Sequence, residues 1–243
     1  KSSTMKKHNI FLLLLLAFGF TTANAQLGNM LNKAKNQVMG AKEDNTSLGL
    51  KEALNEGVKA AVNTLAVENG YLGSPYKILI PAEAMTVINK VSKIPGFGDV
   101  EEKLVAKMNQ AAEIAAKKAT PIFVDAIKQM TVKDASSILF GEKNAATTYL
   151  NKTSRQPLYD TFMPVIQSSL DEVNARTYWA SVVEAYNKIP FIKKLNPALD
   201  DHVNQKALDG LFSLIEVKEA GIREDVGQRT SPLLKEVFSK LDK

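Results

Sequence analysis

Apolar residues recur at three- and four-residue intervals along most of this chain, the spacing that gathers them on one face of a helix. Leu50, Leu54, Val58, Ala61, Val62 and Leu65 form the first stripe. Ser47 is its expected N-cap and Asn69-Gly70 its expected end, since either residue adopts the left-handed turn that closes a helix. A second stripe follows Pro81, which suits a first helical turn because its missing N–H has no partner to lose there. That stripe carries Ala84, Met85, Val87, Ile88 and Val91 and stops at Pro95-Gly96-Phe97-Gly98. Between the two, Tyr76 to Ile80 is β-prone but has no partner run, so it reads as an extended connector. The third stripe starts at an Asp99 cap and holds Leu104, Met108, Ala111, Ala112, Ala115 and Ala119. Its small side chains imply close helix–helix approach. Pro121 interrupts it, and the pattern restarts with Phe123, Ala126, Ile127 and Met130.

Thr131 and Asp134 have capping-box spacing, with Asp in place of the usual Glu, and open a short helix ending at Gly141. Two helices are expected next, at about 143–152 and about 156–173, with Pro164 kinking or splitting the second. Residues 175–188 carry Tyr178, Trp179, Val182, Val183 and Tyr186 at helical spacing. Pro190 and Pro197 bracket a loop. Residues 198–222 place Leu199, Val203, Ala207, Leu211, Leu214, Ile215 and Val217 on a long helix, and Ser231-Pro232 starts the last one, with Leu233, Leu234, Val237, Phe238 and Leu241. No alternating strand pattern, heptad array or fixed-period repeat occurs. The predicted fold is all-α: a single multi-helix globular domain of mostly antiparallel helices over residues 48–243.

The N-terminal fifth departs from this pattern. Lys6 and Lys7 precede an apolar run from Ile10 to Phe20, and Ala23-Asn24-Ala25 has the small-x-small form that signal peptidase recognises. The run is shorter than the roughly 20 residues that span a bilayer. Residues 1–25 therefore read as a bacterial signal peptide cleaved after Ala25, with Met5 as initiator and residues 1–4 upstream of it. Residues 26–47 read as a short amphipathic segment (Leu27, Leu31, Ala34 and Val38) followed by a polar linker at 42–47. The predicted location is outside the cytoplasm, periplasmic or secreted, with no transmembrane segment in the mature chain.

Cleavage also changes the charge. It removes three of the 31 Lys and Arg and no acidic residue, which lowers the net charge from +5 to +2. A nearly balanced chain lacks the basic stripe of a nucleic-acid binder, so no nucleic-acid partner is expected. There is no cysteine. That excludes disulfides, thiol nucleophiles, thiolate metal ligands and a cysteine-linked lipid within this chain. The mature part has one histidine, His202, which excludes a multi-histidine metal site.

Several segments carry a resemblance to a known family. "GLKEALNEGVKAAV" opens at Gly49, "MNQAAEIA" at Met108, "MTVKDASSILFG" at Met130, "NAATTYL" at Asn144, "ALDGLFSLI" at Ala207 and "IREDVGQRTSPLLKEVF" at Ile222. In this order, from Leu50 to Phe238, they resemble the bacterial family catalogued as domain of unknown function 4197. The resemblance implies an exported, largely helical protein. It implies no catalytic or binding residue, because the family has no assigned function. Some members resemble lipoproteins; this chain has Ala-Asn-Ala and Gln26 where a lipoprotein needs cysteine.

Candidate sites each carry a structural alternative. Asn109 and Glu113 lie one turn apart on one helix face: either a polar cluster in a cavity, or a pair beside an alanine-rich packing face. Asp134 is either an acid or a cap. Arg223 and Arg229 flank a turn, where they either clamp an anionic ligand or pair internally with Glu219, Asp225 or a carboxylate of an earlier helix. His202 with Asp200 and Asp201 lacks the ordered spacing of a zinc or calcium site, and the two aspartates suit a helix start. Tyr178, Trp179 and Tyr186, with Tyr159 and Phe162, either line a pocket or belong to the core. Ser136-Ser137 lacks a nucleophile-elbow context, and no phosphate-binding glycine loop occurs.

These readings predict no catalytic residue, no metal and no cofactor. The expected function is non-enzymatic binding in the cell envelope, of an apolar ligand or of an envelope partner protein, with Arg223, Arg229, Asn109, Glu113, Tyr178 and Trp179 as ligand-binding candidates. The alternatives are a scaffold docking through residues 26–41, and a hydrolase using Glu113 and Asp134.

Overall fold

The computed structural model describes residues 44–93, 95 and 98–242. The signal peptide expected at 1–25 and the amphipathic segment expected at 26–41 lie outside the described residues. From Asn45 the chain forms one unit, and its described residues contain nine helices and no strand. They are α1 (Asn45–Leu65), α2 (Met85–Val91), α3 (Val100–Ala116), α4 (Ala119–Lys128), α5 (Val132–Leu139), α6 (Ala145–Asp171), α7 (Ala175–Asn187), α8 (Leu199–Glu224) and α9 (Pro232–Phe238).

α8 is central. Val203, Ala207, Leu208, Leu211, Phe212, Leu214 and Ile215 are all buried, an apolar arc too wide for one partner. It packs on α6, α1, α3 and α7. α6 runs antiparallel to it, since Thr147 meets Glu219 near one end and Tyr159 meets Asp201 near the other. The alanine stripe of α3 (Ala111, Ala112, Ala115 and Ala116) is fully buried, and α3 packs on α6 and α8. α4 adds Phe123, whose ring stands edge-on to Phe212 at 5.7 Å between centroids, a favoured aromatic geometry. α9 presses on α1 so closely that a Cβ on Gly49 would lie 2.5 Å from Val237 Cγ2.

The helix boundaries refine the expectations. α1 begins at Asn45, so residues 45–47 belong to the helix; Ser47 is buried inside it and is not its cap. The chain leaves α1 through Asn69, whose φ of 62° is left-handed as expected of that Asn-Gly pair. Asp99 occupies the N-cap position but makes no cap bond, and pairs with Lys103 instead. The Thr131–Asp134 capping box is present with both reciprocal bonds. Ser231 Oγ accepts from Leu234 N, with Pro232 behind it, as expected.

The largest correction concerns 143–173. The two helices expected there are one 27-residue helix, α6, with both Pro157 and Pro164 inside it. The prolines are seven residues apart and exposed, so both lie on the solvent side. Each removes one backbone hydrogen bond on a face where water reaches the freed carbonyl. Packing of the opposite face, through Leu150, Leu158, Phe162, Ile166 and Leu170, holds the helix together.

Candidate functional site

The polar residues singled out in the sequence divide into two groups once their partners are seen. One group fastens backbone to backbone. Glu219, on α8, is buried. Its Oε1 accepts from Ala146 N at 3.0 Å and from Arg223 Nε at 2.9 Å, and its Oε2 accepts from Thr147 N and Thr147 Oγ1, both at 2.8 Å. These are the free N–H groups of the first turn of α6, and a carboxylate there also opposes the positive end of the helix dipole. Arg223, one turn along, donates from Nη1 to Leu139 O at 3.0 Å and from Nη2 to Ile138 O at 2.8 Å. Those carbonyls end α5, where a cation is favoured. One ion pair on α8 thus joins the end of α5 to the start of α6.

Arg229 makes a second fastening. It is 1% exposed. Nε donates to Ile222 O at 3.1 Å and Nη2 to Arg223 O at 3.0 Å, closing the carbonyl end of α8. Both Nη atoms also grip Asp242, at 2.6 and 2.7 Å. This bidentate bond raises the guanidinium pKa and holds the Asp242 carboxyl below its ordinary range. The guanidinium lies 5.9 Å from the Phe238 ring centre. Arg223 and Arg229 are therefore paired internally, Arg223 with the Glu219 that the sequence allowed and Arg229 with an Asp242 that it did not single out. The void beside Arg223 and Glu219 is about 20 Å³, room for one water.

Asn109 and Glu113 make the third. Asn109 is fully buried. Its Oδ1 accepts from Ile78 N at 2.8 Å, and its Nδ2 donates to Ile78 O at 2.9 Å and Val105 O at 2.7 Å. The side-chain amide satisfies both backbone groups of Ile78, as a neighbouring strand would, which lets a lone extended connector run buried. Glu113 Oε1 accepts from Tyr71 N at 3.1 Å and Leu72 N at 3.3 Å. Tyr71 donates its hydroxyl to Ala207 O at 2.7 Å; burial, aided by Glu113, pushes its pKa up.

The second group faces a groove of about 710 Å³ between α3 and α7, to whose lining α2 and the turn after α1 also contribute. This volume falls within the range of small-molecule sites. Ile88, Leu104, Trp179, Val182 and Leu72 supply an apolar wall, and Tyr178 stands at the edge, 61% exposed. Trp179 is buried and aimed by a hydrogen bond from Nε1 to Asn196 O at 3.2 Å. Two lysines border the groove, and each has a carboxylate. Lys107 reaches Glu172 at 2.7 Å, and Lys103 reaches Asp99 at 2.8 Å. Of the six ligand-binding candidates, the structure brings Glu113, Tyr178 and Trp179 to this groove; Asn109, Arg223 and Arg229 do not line it. The aliphatic wall and the lysine border were not singled out in the sequence. No local pattern marks them, because they come from three helices and a turn.

The remaining candidates lie elsewhere. Asp134 is spent on the capping box: its bonds from Thr131 Oγ1 and Thr131 N hold the carboxyl below its ordinary range, and it does not line the groove. Asp200 and Asp201 occupy the first turn of α8. Asp200 accepts from Gln167 at 2.7 Å and Arg176 at 3.2 Å. Asp201 accepts from Tyr159 at 2.7 Å, which pushes the phenol pKa up to about 12. His202 Nε2 contacts Leu79 O at 3.0 Å. Phe162 is core, and Tyr186 is partly buried away from the groove wall. Ser136 and Ser137 lie within α5. Among the described residues, no cluster of three or more His, Asp or Glu is placed to hold a metal. No helix among them is long and apolar enough to cross a membrane.

No curated protein and no solved structure matches the chain. The family described as protein of unknown function (DUF4197) matches residues 40–239, which takes in every described helix. The chain belongs to this family.

Proposed function

We propose that this chain is an exported cell-envelope protein that works by non-enzymatic binding, and that it holds an apolar ligand in the groove between α3 and α7. The observation that carries the reading is the groove itself: about 710 Å³ with an aliphatic and aromatic wall. Its charged neighbours support an apolar occupant, since Lys103 and Lys107 are each neutralised within the protein. Of the three carboxylates that line the groove, Glu68, Asp99 and Glu113, Asp99 is paired with Lys103 and Glu113 has Oε1 committed to two backbone N–H groups, which favours binding over acid–base work. Export is supported by the signal-peptide pattern of residues 1–25.

The test is native mass spectrometry of the protein purified from its own envelope, with lipid extraction of what co-purifies. The expected result is an apolar molecule at one-to-one stoichiometry. After extraction, titration with palmitate should change the emission of Trp179, the one tryptophan in the chain. A chain that is bare on purification and silent to palmitate overturns the reading and leaves docking through residues 26–41 as the next one to pursue.

A further inference from the structure

Beyond the groove, we propose that the loop joining α7 to α8 is a built insertion element for the surface of an anionic bilayer. The loop closes on itself. Asn187 Nδ2 donates to Leu195 O, and Leu195 N donates to Asn187 Oδ1, both at 2.9 Å. Lys194 Nζ folds back onto Asn187 O and onto Ile189 O. Trp179 Nε1 holds the following residue, Asn196, by its carbonyl. A segment with this many internal bonds presents its tip in one conformation, so insertion loses little ordering entropy.

What it presents is apolar. Phe191 is fully exposed, and Ile189 is about half exposed. Phe191 also has a φ of 60°, a left-handed backbone that a bulky side chain rarely adopts. The closed loop therefore sustains backbone strain while showing an aromatic ring to water, the kind of cost that accumulates at functional segments. Along the loop sequence the charge is of one sign. Between Glu184 and Asp200 the chain carries Lys188, Lys193 and Lys194 and no acidic residue. An apolar tip flanked in sequence by lysines matches the layering of a bilayer, with rings and aliphatic chains below anionic headgroups. A protein partner fits less well, because a stable interface needs on the order of 1,200 Å² in total and two side chains at a loop tip supply a small part of that.

Two measurements test this on protein purified from the envelope. In sedimentation with vesicles of mixed phosphatidylglycerol and phosphatidylcholine, the double variant Ile189→Ser, Phe191→Ser should lose at least about tenfold in partitioning relative to the natural chain. Partitioning of the natural chain should also fall by roughly that factor on pure phosphatidylcholine. The second measurement reads the tip itself, so that other membrane-seeking segments do not enter. The chain has no cysteine, so Phe191→Cys can carry an environment-sensitive dye with Trp179 and its bond to Asn196 left intact, and the dye should shift to shorter emission wavelengths on anionic vesicles. Undiminished partitioning of the serine variant, equal partitioning on neutral vesicles, or an unshifted dye overturns the proposal. None of these variants touches a residue that lines the groove.

Discussion

At the corner where α5, α6, α8 and α9 meet, Glu219, Arg223 and Arg229 all end on backbone groups of neighbouring turns. Along the groove between α3 and α7, apolar side chains face open space and the lysines are paired off beside it. The two regions use unusual residues for opposite ends. Buried charge at the corner replaces the caps that α5, α6 and α8 would otherwise need at the ends that meet there. At the groove, Ile88 and Trp179 pack with the core, while Tyr178 and Val173 leave apolar surface exposed, and that surface is what the proposed ligand would cover. The segments that carry the family resemblance fall mainly in the first region: "NAATTYL" supplies the capped turn, and "IREDVGQRTSPLLKEVF" supplies both arginines. Residues that looked like a ligand clamp are thus the means by which short helices are spliced to long ones.

The comparison breaks most sharply at Glu219. Glu219→Ala removes four accepted bonds and leaves the Arg223 side chain, 8% exposed, without its carboxylate. The expected loss is about 3–5 kcal/mol, because a buried partner charge and orphaned N–H groups remain. In a domain of this size that is a fall of roughly 10 °C in midpoint, read by thermal unfolding. A fall of under about 1 kcal/mol would show that the corner is solvated and that its geometry is not what holds α5 to α6.

Acid titration probes the same corner more gently. Asp242 has its folded pKa lowered from an ordinary 3.8, chiefly by the hydrogen bonds from Arg229. A depressed carboxylate stabilises the fold fully above its unfolded pKa, and that contribution is lost as pH falls from 3.8 through the lower folded value. The natural chain should therefore be more stable to urea than Asp242→Asn at neutral pH, and the difference should shrink on acidification through this window. A difference that stays constant with pH would mean that Asp242 is bound by something other than its charge.

Much of this architecture was legible in sequence, for reasons that differ by element. The Thr131–Asp134 box and the Ser231 cap are local: partners three residues apart need no knowledge of the fold. The continuity of α6 through Pro157 was not legible. The local rule against internal proline was outweighed by burial of the opposite face, a tertiary effect. Asn109 and Glu113 were correctly paired on one face, but their partners, Ile78 and Tyr71, are 31 and 42 residues distant. Nothing in a helical repeat says that an asparagine stands in for a strand. Of the groove, the aromatic pair Tyr178 and Trp179 was visible as a stripe. Its aliphatic side was not, because Ile88 and Leu104 pack with the core and line the groove at once, which a helical stripe does not reveal.

The smallest effect on stability sharpens the comparison furthest. Tyr178 lines the groove edge and is 61% exposed. If the groove differs from the corner as argued, Tyr178→Ala should leave folding stability within about 0.5 kcal/mol, as surface changes do. Its effect should appear in binding. A bound acyl chain that covers about 60 Å² of the ring would gain roughly 1.5 kcal/mol, so palmitate affinity read by Trp179 emission should fall about tenfold. Glu219→Ala, assayed below its own unfolding midpoint, should show the reverse pattern, with stability lost and palmitate affinity kept. A Tyr178→Ala protein that is destabilised by 2 kcal/mol or more and binds palmitate unchanged would place Tyr178 with the packing residues. The groove would then be a gap between helices, and its apolar wall would need the same structural explanation as the corner.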